Sequence, residues 1–271
     1  MAQVKIKAGA IEFTANGGAE LIAQEREAFI GFLKHKMGED ILAAQRRRKA
    51  QRLHSEPDDT MNARRILTCN ITPETLKWAI REGRLDGIIK PFDEIDIPLD
   101  TGGTVTAVCG YSDSCAARFV LKDCWDEAVM NEEATNKGGY FKSKGRAHVL
   151  VDILPHIAQE WRAIFKPRKM AEIIDGERVE YEDLMWLPSA TDVFGPSENG
   201  WWKDEDDSFR LAIFDRERDR VKECGDNGTY PYWLRSVTAG GTNYFCLVTA
   251  SGGAYNRHAC YSLGFAPGFD I

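Results

Sequence analysis

The chain has 271 residues, with 35 Lys and Arg against 42 Asp and Glu (formal charge −7), 43% hydrophobic and 10% aromatic content. This excludes a disordered chain and supplies enough apolar mass for a core without disulfide staples, as one large domain or two smaller ones. No run approaches the ~18 consecutive apolar residues of a membrane helix, and MAQVKIKAGAIEF lacks the apolar stretch of a secretory signal. A net acidic chain also lacks the clustered Lys and Arg on which non-specific nucleic-acid binding draws. The expectation is a protein that is cytoplasmic as synthesised, with no nucleic-acid partner and no membrane insertion.

The seven cysteines contain no CxxC pair and the five histidines never fall at HxxxH spacing. Reduced thiols, no metal and no other cofactor are therefore expected.

From Ala19 to about Leu53 the sequence is built of good helix formers, with Leu21, Phe29, Phe32 and Leu33 near one face, which predicts a helix broken at Gly38. Its basic end, Arg46 to Arg52, reads as a solvated face, with an anionic partner or charge set against the helix C-terminus as the alternatives. HSEPDDTMN (54–62) has a linker's composition. Residues 1–65 are thus expected to form an N-terminal helical region for assembly or attachment, with self-association or a virion partner engaged through 19–53, and residues 66–271 a second domain.

Thr72, Pro73 and Glu74 form an N-cap followed by Pro at the first helical position, predicting a short helix that ends at Gly83. Phe92 to Val108 alternates around Asp100, Gly102 and Gly103 as a hairpin does, and Arg118–Leu121 continues the pairing. Between Ser143 and Phe165, Val149, Leu150, Ile153, Leu154, Ile157, Trp161, Ile164 and Phe165 recur at helical spacing, with Pro155 placed to kink or split the helix. Ser189 and Asp192 have capping-box spacing. From Ser236 to Ile271 there is no Lys, Glu, Gln, Met or Trp, the only formal charges are Arg257 and Asp270, and YFCLVT leads to a turn at Ser251, Gly252 and Gly253. The end of the chain reads as β-rich with glycine loops.

WLPSATDVFG (186–195), YWLRSV (232–237) and the terminal GFAPGF (264–269) resemble a block found in a group of largely uncharacterised bacterial and phage proteins of the C-type-lectin fold. The resemblance spans roughly residues 75–271. It implies an α+β fold in which two helices flank a twisted antiparallel sheet, the chain ends are brought together, and ligand loops project from one side. Within the block, Trp233 and Leu234 are expected in the core, Arg235 is expected to hold a buried carboxylate or backbone carbonyls, and Gly264, Pro267 and Gly268 read as architecture. No EPN, QPD or WND triplet is present, and the acidic run Asp204 to Asp207 lacks the spacing of a calcium loop, so it reads as a solvated loop and any sugar binding as calcium-independent. Trp201 and Trp202 read as core or interface residues.

Three functional classes share this fold. Formylglycine-generating oxidases bind copper through paired cysteines, which Cys109 with Cys115 or Cys246 with Cys260 would have to mimic. Variable proteins of diversity-generating retroelements carry mutable AAC-type codons, which cannot become Lys, Glu, Gln, Met or Trp, the five types missing after Ser236. The third class displays a fixed binding surface. The reading adopted is a non-catalytic protein that binds a protein or glycan ligand on a cell surface. The site residues expected are Asn243, Tyr244, Tyr255, Asn256, His258 and Tyr261, with the tyrosines as anchors. The alternatives are a structural virion component (tail, baseplate or head decoration) and the copper oxidase.

Overall fold

The computed structural model describes residues 2–8, 11–17, 65–66, 71–202, 204, 206 and 208–271. Contacts divide the chain into two compact units, Met1–Met61 and Asn62–Ile271. In the first, strands β1 (Ala2–Ala8) and β2 (Ile11–Gly17) form an antiparallel hairpin. The expected helical character of residues 1–65 is thus corrected for this stretch, where Val4 and Ile6 alternate with Lys5 and Lys7 as a strand requires. The helix expected over 19–53, with its basic end, and the linker 54–62 lie outside the described residues.

The second unit is α+β, with mostly antiparallel sheets and few helices. Helix α1 (Pro73–Arg81) starts on Thr72, whose hydroxyl accepts from Thr75 N–H at 3.2 Å, and gives way to Gly83 at φ +63°. One turn, α2 (Leu85–Ile88), leads into β4 (Asp93–Pro98), which lies parallel to the two-residue strand β3 (Arg65–Ile66). β4 turns through Gly102 and Gly103 into β5 (Thr104–Ser112), and β6 (Ala117–Leu121) follows. With β10 (Met185–Trp186) and β15 (Gly268–Asp270) they make a six-stranded sheet in the order β10-β15-β6-β5-β4-β3.

A second sheet has the order β13-β12-β11-β14-β7, from β7 (Asp126–Val129), β11 (Tyr232–Val237), β12 (Tyr244–Val248), β13 (Ala254–His258) and β14 (Ser262–Phe265). β8 (Arg168–Ile174) and β9 (Glu177–Asp183) form a separate hairpin.

The helical pattern of 143–165 is realised in pieces. Ser143 caps α3 (Lys144–Ala147), a π turn spans His148–Ile153, a 3-10 turn holds Pro155, and α4 (Gln159–Arg162) resumes the helix. Val149, Ile153, Ile157, Trp161, Ile164 and Phe165 are buried as expected, because the pieces keep one face on the sheet. The core closes on stacked rings, Phe165 on Phe269 at 4.2 Å and Phe269 on Phe119 at 5.3 Å between centroids, with Trp186 and Trp233 fully buried. Gly268 has no room for a side chain: an added Cβ would lie 2.5 Å from the Phe119 carbonyl oxygen.

Candidate functional site

The predicted site residues sit on β12, β13 and the turn into β14. Register pairs Tyr244 with His258, Phe245 with Arg257, Cys246 with Asn256 and Leu247 with Tyr255. Because side chains alternate along a strand, Tyr255 and Arg257 share one face at the edge of the sheet, and Asn256 points to the other. Tyr255 and Tyr261 are 49% and 48% exposed. The Arg257 guanidinium lies 5.6 Å from the Tyr255 ring centroid and 5.4 Å from that of Tyr261, and no carboxylate among the described residues pairs with it. Behind them Tyr244 packs on His258 at 4.4 Å, and His258 stacks toward Tyr261 at 6.3 Å.

The predicted residues therefore divide. Tyr255, Tyr261 and His258 form a rim, with Tyr244 half-buried as its support. Asn243 is half-buried against the neighbouring loop: turned so that its nitrogen donates, its amide reaches the Ala134 carbonyl at 3.0 Å. Asn256 is half-buried beside Cys246. Arg257 belongs to the rim and was not among the residues expected. Its mark in the sequence is that it and Asp270 are the only formal charges after Ser236, and Asp270 is taken by Arg118 at 3.1 Å.

Beneath the sheet lies a buried ionic layer. Arg235 is 1% exposed and donates to Asp206 at 2.6 Å and to Ser208 at 2.9 Å, as the Arg235 expectation required. Arg168 donates to both oxygens of Asp192 at 3.0 and 2.9 Å. Burial pushes the Asp192 carboxyl up, but the charge and hydrogen bonds of Arg168, with Arg235 and Arg118 nearby, outweigh it and hold the group at about 2. Asp192 also completes the capping box with Ser189 at the start of α5 (Ala190–Phe194). Asp204 accepts from Thr191 N–H at 3.0 Å and from the Ser236 hydroxyl.

The expected solvated loop at 204–207 is thus corrected at its described aspartates. Both are bonded inward, because two buried cationic and hydroxyl groups demand acceptors. Trp202 is half-buried, packed on Phe194 and donating its indole N–H to the Gly195 carbonyl at 3.1 Å.

A cleft of about 860 Å³ opens between residues 135–139, β8 and the β11–β12 connection, with Glu172, Asp204 and Arg235 at its floor. Glu172 accepts from Tyr140 N–H at 2.8 Å and from the Tyr181 hydroxyl, so its oxygens clamp the loop to the hairpin. Burial raises its carboxyl above the usual range.

The cysteine pairs considered for copper differ in setting. Cys109 and Cys246 are buried thiols pushed up by burial to about 12, while Cys115 and Cys260 are exposed. Of two other thiols, Cys124 is raised by burial and Cys224 donates its Sγ–H to the Asp126 carbonyl at 3.6 Å. Among the described residues no group of three or more His, Cys, Asp and Glu side chains is placed to hold one metal ion. No helix among them is long and apolar enough to cross a membrane.

The chain belongs to the family described as a domain of unknown function, DUF6273, whose family model matches residues 117–271. No curated protein and no solved structure matches it. The matched segment begins with β6 and ends after β15. Its first and last residues trade backbone hydrogen bonds, Ala117 N–H to Ile271 O at 3.1 Å and Ile271 N–H to Ala117 O at 2.9 Å.

Proposed function

We propose that this chain is a non-catalytic binding protein with a C-type-lectin-like domain, whose rim of Tyr255, Arg257, His258 and Tyr261 contacts a protein or glycan on a bacterial cell surface. The observation that carries the reading is the rim itself. Two half-exposed tyrosines hold a guanidinium that meets no carboxylate among the described residues, on a sheet edge whose inner residues are packed. Tyrosine gives large contact area at low entropic cost, and a guanidinium over aromatic faces reads carboxylates or sugar acids.

The antiparallel sheets and the meeting ends of the matched segment support the lectin-like part of the reading. The five residue types missing after Ser236 support a surface open to diversification, as in a retroelement variable protein of bacterial or phage origin. Sequencing the neighbouring DNA for a reverse transcriptase and a template repeat tests that part alone.

The binding test uses the full chain on a glycan array and on a panel of intact bacterial cells. Binding is expected, and the triple substitution Tyr255→Ala, Arg257→Ala, Tyr261→Ala is expected to abolish it while the melting temperature holds. Binding that survives the triple substitution places the surface elsewhere.

A further inference from the structure

Strand β13 is the last strand of its sheet, and its outward backbone can be deduced. Antiparallel pairs alternate between residues that exchange hydrogen bonds and residues whose N–H and C=O point away. Thr249 N–H donates to Gly253 O at 2.8 Å and Ala259 N–H to Asn243 O at 3.0 Å, marking bonded pairs at both ends of the β12–β13 ladder. The register between them is unbroken. Tyr255 and Arg257 therefore bond inward to β12, while Ala254, Asn256 and His258 turn their N–H and C=O to the open edge. The His258 carbonyl accepts from Tyr261 N–H at 3.1 Å. No partner among the described residues meets the backbone groups of Ala254 or Asn256.

We infer that β13 pairs antiparallel with β13 of a second copy of this chain, about a two-fold axis through Asn256. The sequence Ala-Tyr-Asn-Arg-His is self-complementary about that residue. Asn256 falls opposite its own counterpart and exchanges both bonds with it. Tyr255 falls opposite the partner's Arg257, and Arg257 opposite the partner's Tyr255. These are non-hydrogen-bonded pairs, in which side chains come closest, with Cα atoms about 4.5 Å apart.

The guanidinium already lies over two rings of its own chain, so the opposing tyrosine extends an existing stack. This accounts for an arginine that meets no carboxylate among the described residues, and the strand Ala254–His258 carries no Lys or Pro. The inference goes beyond ligand recognition. It joins two rims into one band on the same face of a continuous sheet, and the dimer can stand or fail whatever the ligand proves to be.

A single strand edge buries less than the roughly 800 Å² per partner of a standard interface, so the dimer should be weak and concentration-dependent. Sedimentation velocity of the full chain over a wide concentration series is expected to show reversible dimerisation. Arg257→Ala should weaken it at least tenfold. Asn256→Pro, which removes the outward N–H, should abolish it. The decisive variant is the exchange Tyr255→Arg with Arg257→Tyr, which recreates both cross-strand pairs by symmetry and should restore dimerisation.

Monomer at every concentration overturns the inference, as does dimerisation indifferent to Asn256→Pro, or an exchange variant no better than Arg257→Ala. If Asn256→Pro fails to fold, the exchange variant still decides. A chain that stays monomeric but whose β13 amide resonances shift on adding a Val-Glu repeat peptide assigns the edge to an acidic strand, which also overturns self-pairing.

Discussion

Two arginines of one sheet, Arg235 on β11 and Arg257 on β13, carry the same side chain to opposite ends. Arg235 is sealed from water, its Nη2 donates to Asp206 and Ser208, and further negative charge comes from Asp204 and Asp192. Arg257 stands at the rim over the rings of Tyr255 and Tyr261, with no carboxylate paired to it among the described residues. A buried guanidinium needs a carboxylate held against it, because either charge left alone out of water is costly, so that part of the molecule tolerates little change. The rim carries no such obligation, and its residues are free to be chosen by what they touch.

The comparison breaks most sharply at Arg235. Arg235→Ala leaves Asp206 buried without its cation, and urea unfolding should show a loss of about 3–5 kcal/mol. Next, Ser189→Ala removes half of the capping box on α5, and the same assay should read about 1 kcal/mol. A smaller effect tracks pH at His148, which lies between Asp126 at 3.0 Å and Asp152 at 2.9 Å.

Hydrogen bonding to Asp126 first, and to Asp152, raises the imidazole above its ordinary 6.5. Its contribution is therefore complete below pH 6.5 and is lost as pH rises through the folded value. Between pH 6 and 9 the wild type's unfolding midpoint should fall by more than that of His148→Gln. Smallest of all, Arg257→Ala should change unfolding free energy by no more than about 0.5 kcal/mol, as surface substitutions do. A larger loss would mean that the rim is part of the core.

The sequence showed most of what local chemistry decides. Thr72 and Pro73 announced a helix start, Gly102 and Gly103 a hairpin, Pro155 a break, and the fork of Arg235 a buried acceptor. One local mark was passed over: Asp175-Gly176 joins β8 to β9 with both residues at positive φ, 54° and 85°, as a two-residue hairpin turn demands.

What stayed illegible was long-range. Nothing near Asp192 says that Arg168, on strand β8, will claim it, and nothing in the acidic run says that Asp204 and Asp206 turn inward. The site was half legible for the same reason. Tyr255 and Asn256 were expected together, yet in mid-strand they point to opposite faces, whereas His258, where β13 ends, reaches the rim by stacking toward Tyr261. Which of them meets solvent depends on the register with β12.

The segment shared with the DUF6273 family starts and stops on adjacent strands, with Ala117 and Ile271 bonded to each other. The chain thus enters and leaves the shared segment at one point of the six-stranded sheet, and β5, which precedes the segment, adds to β6 on the side away from β15.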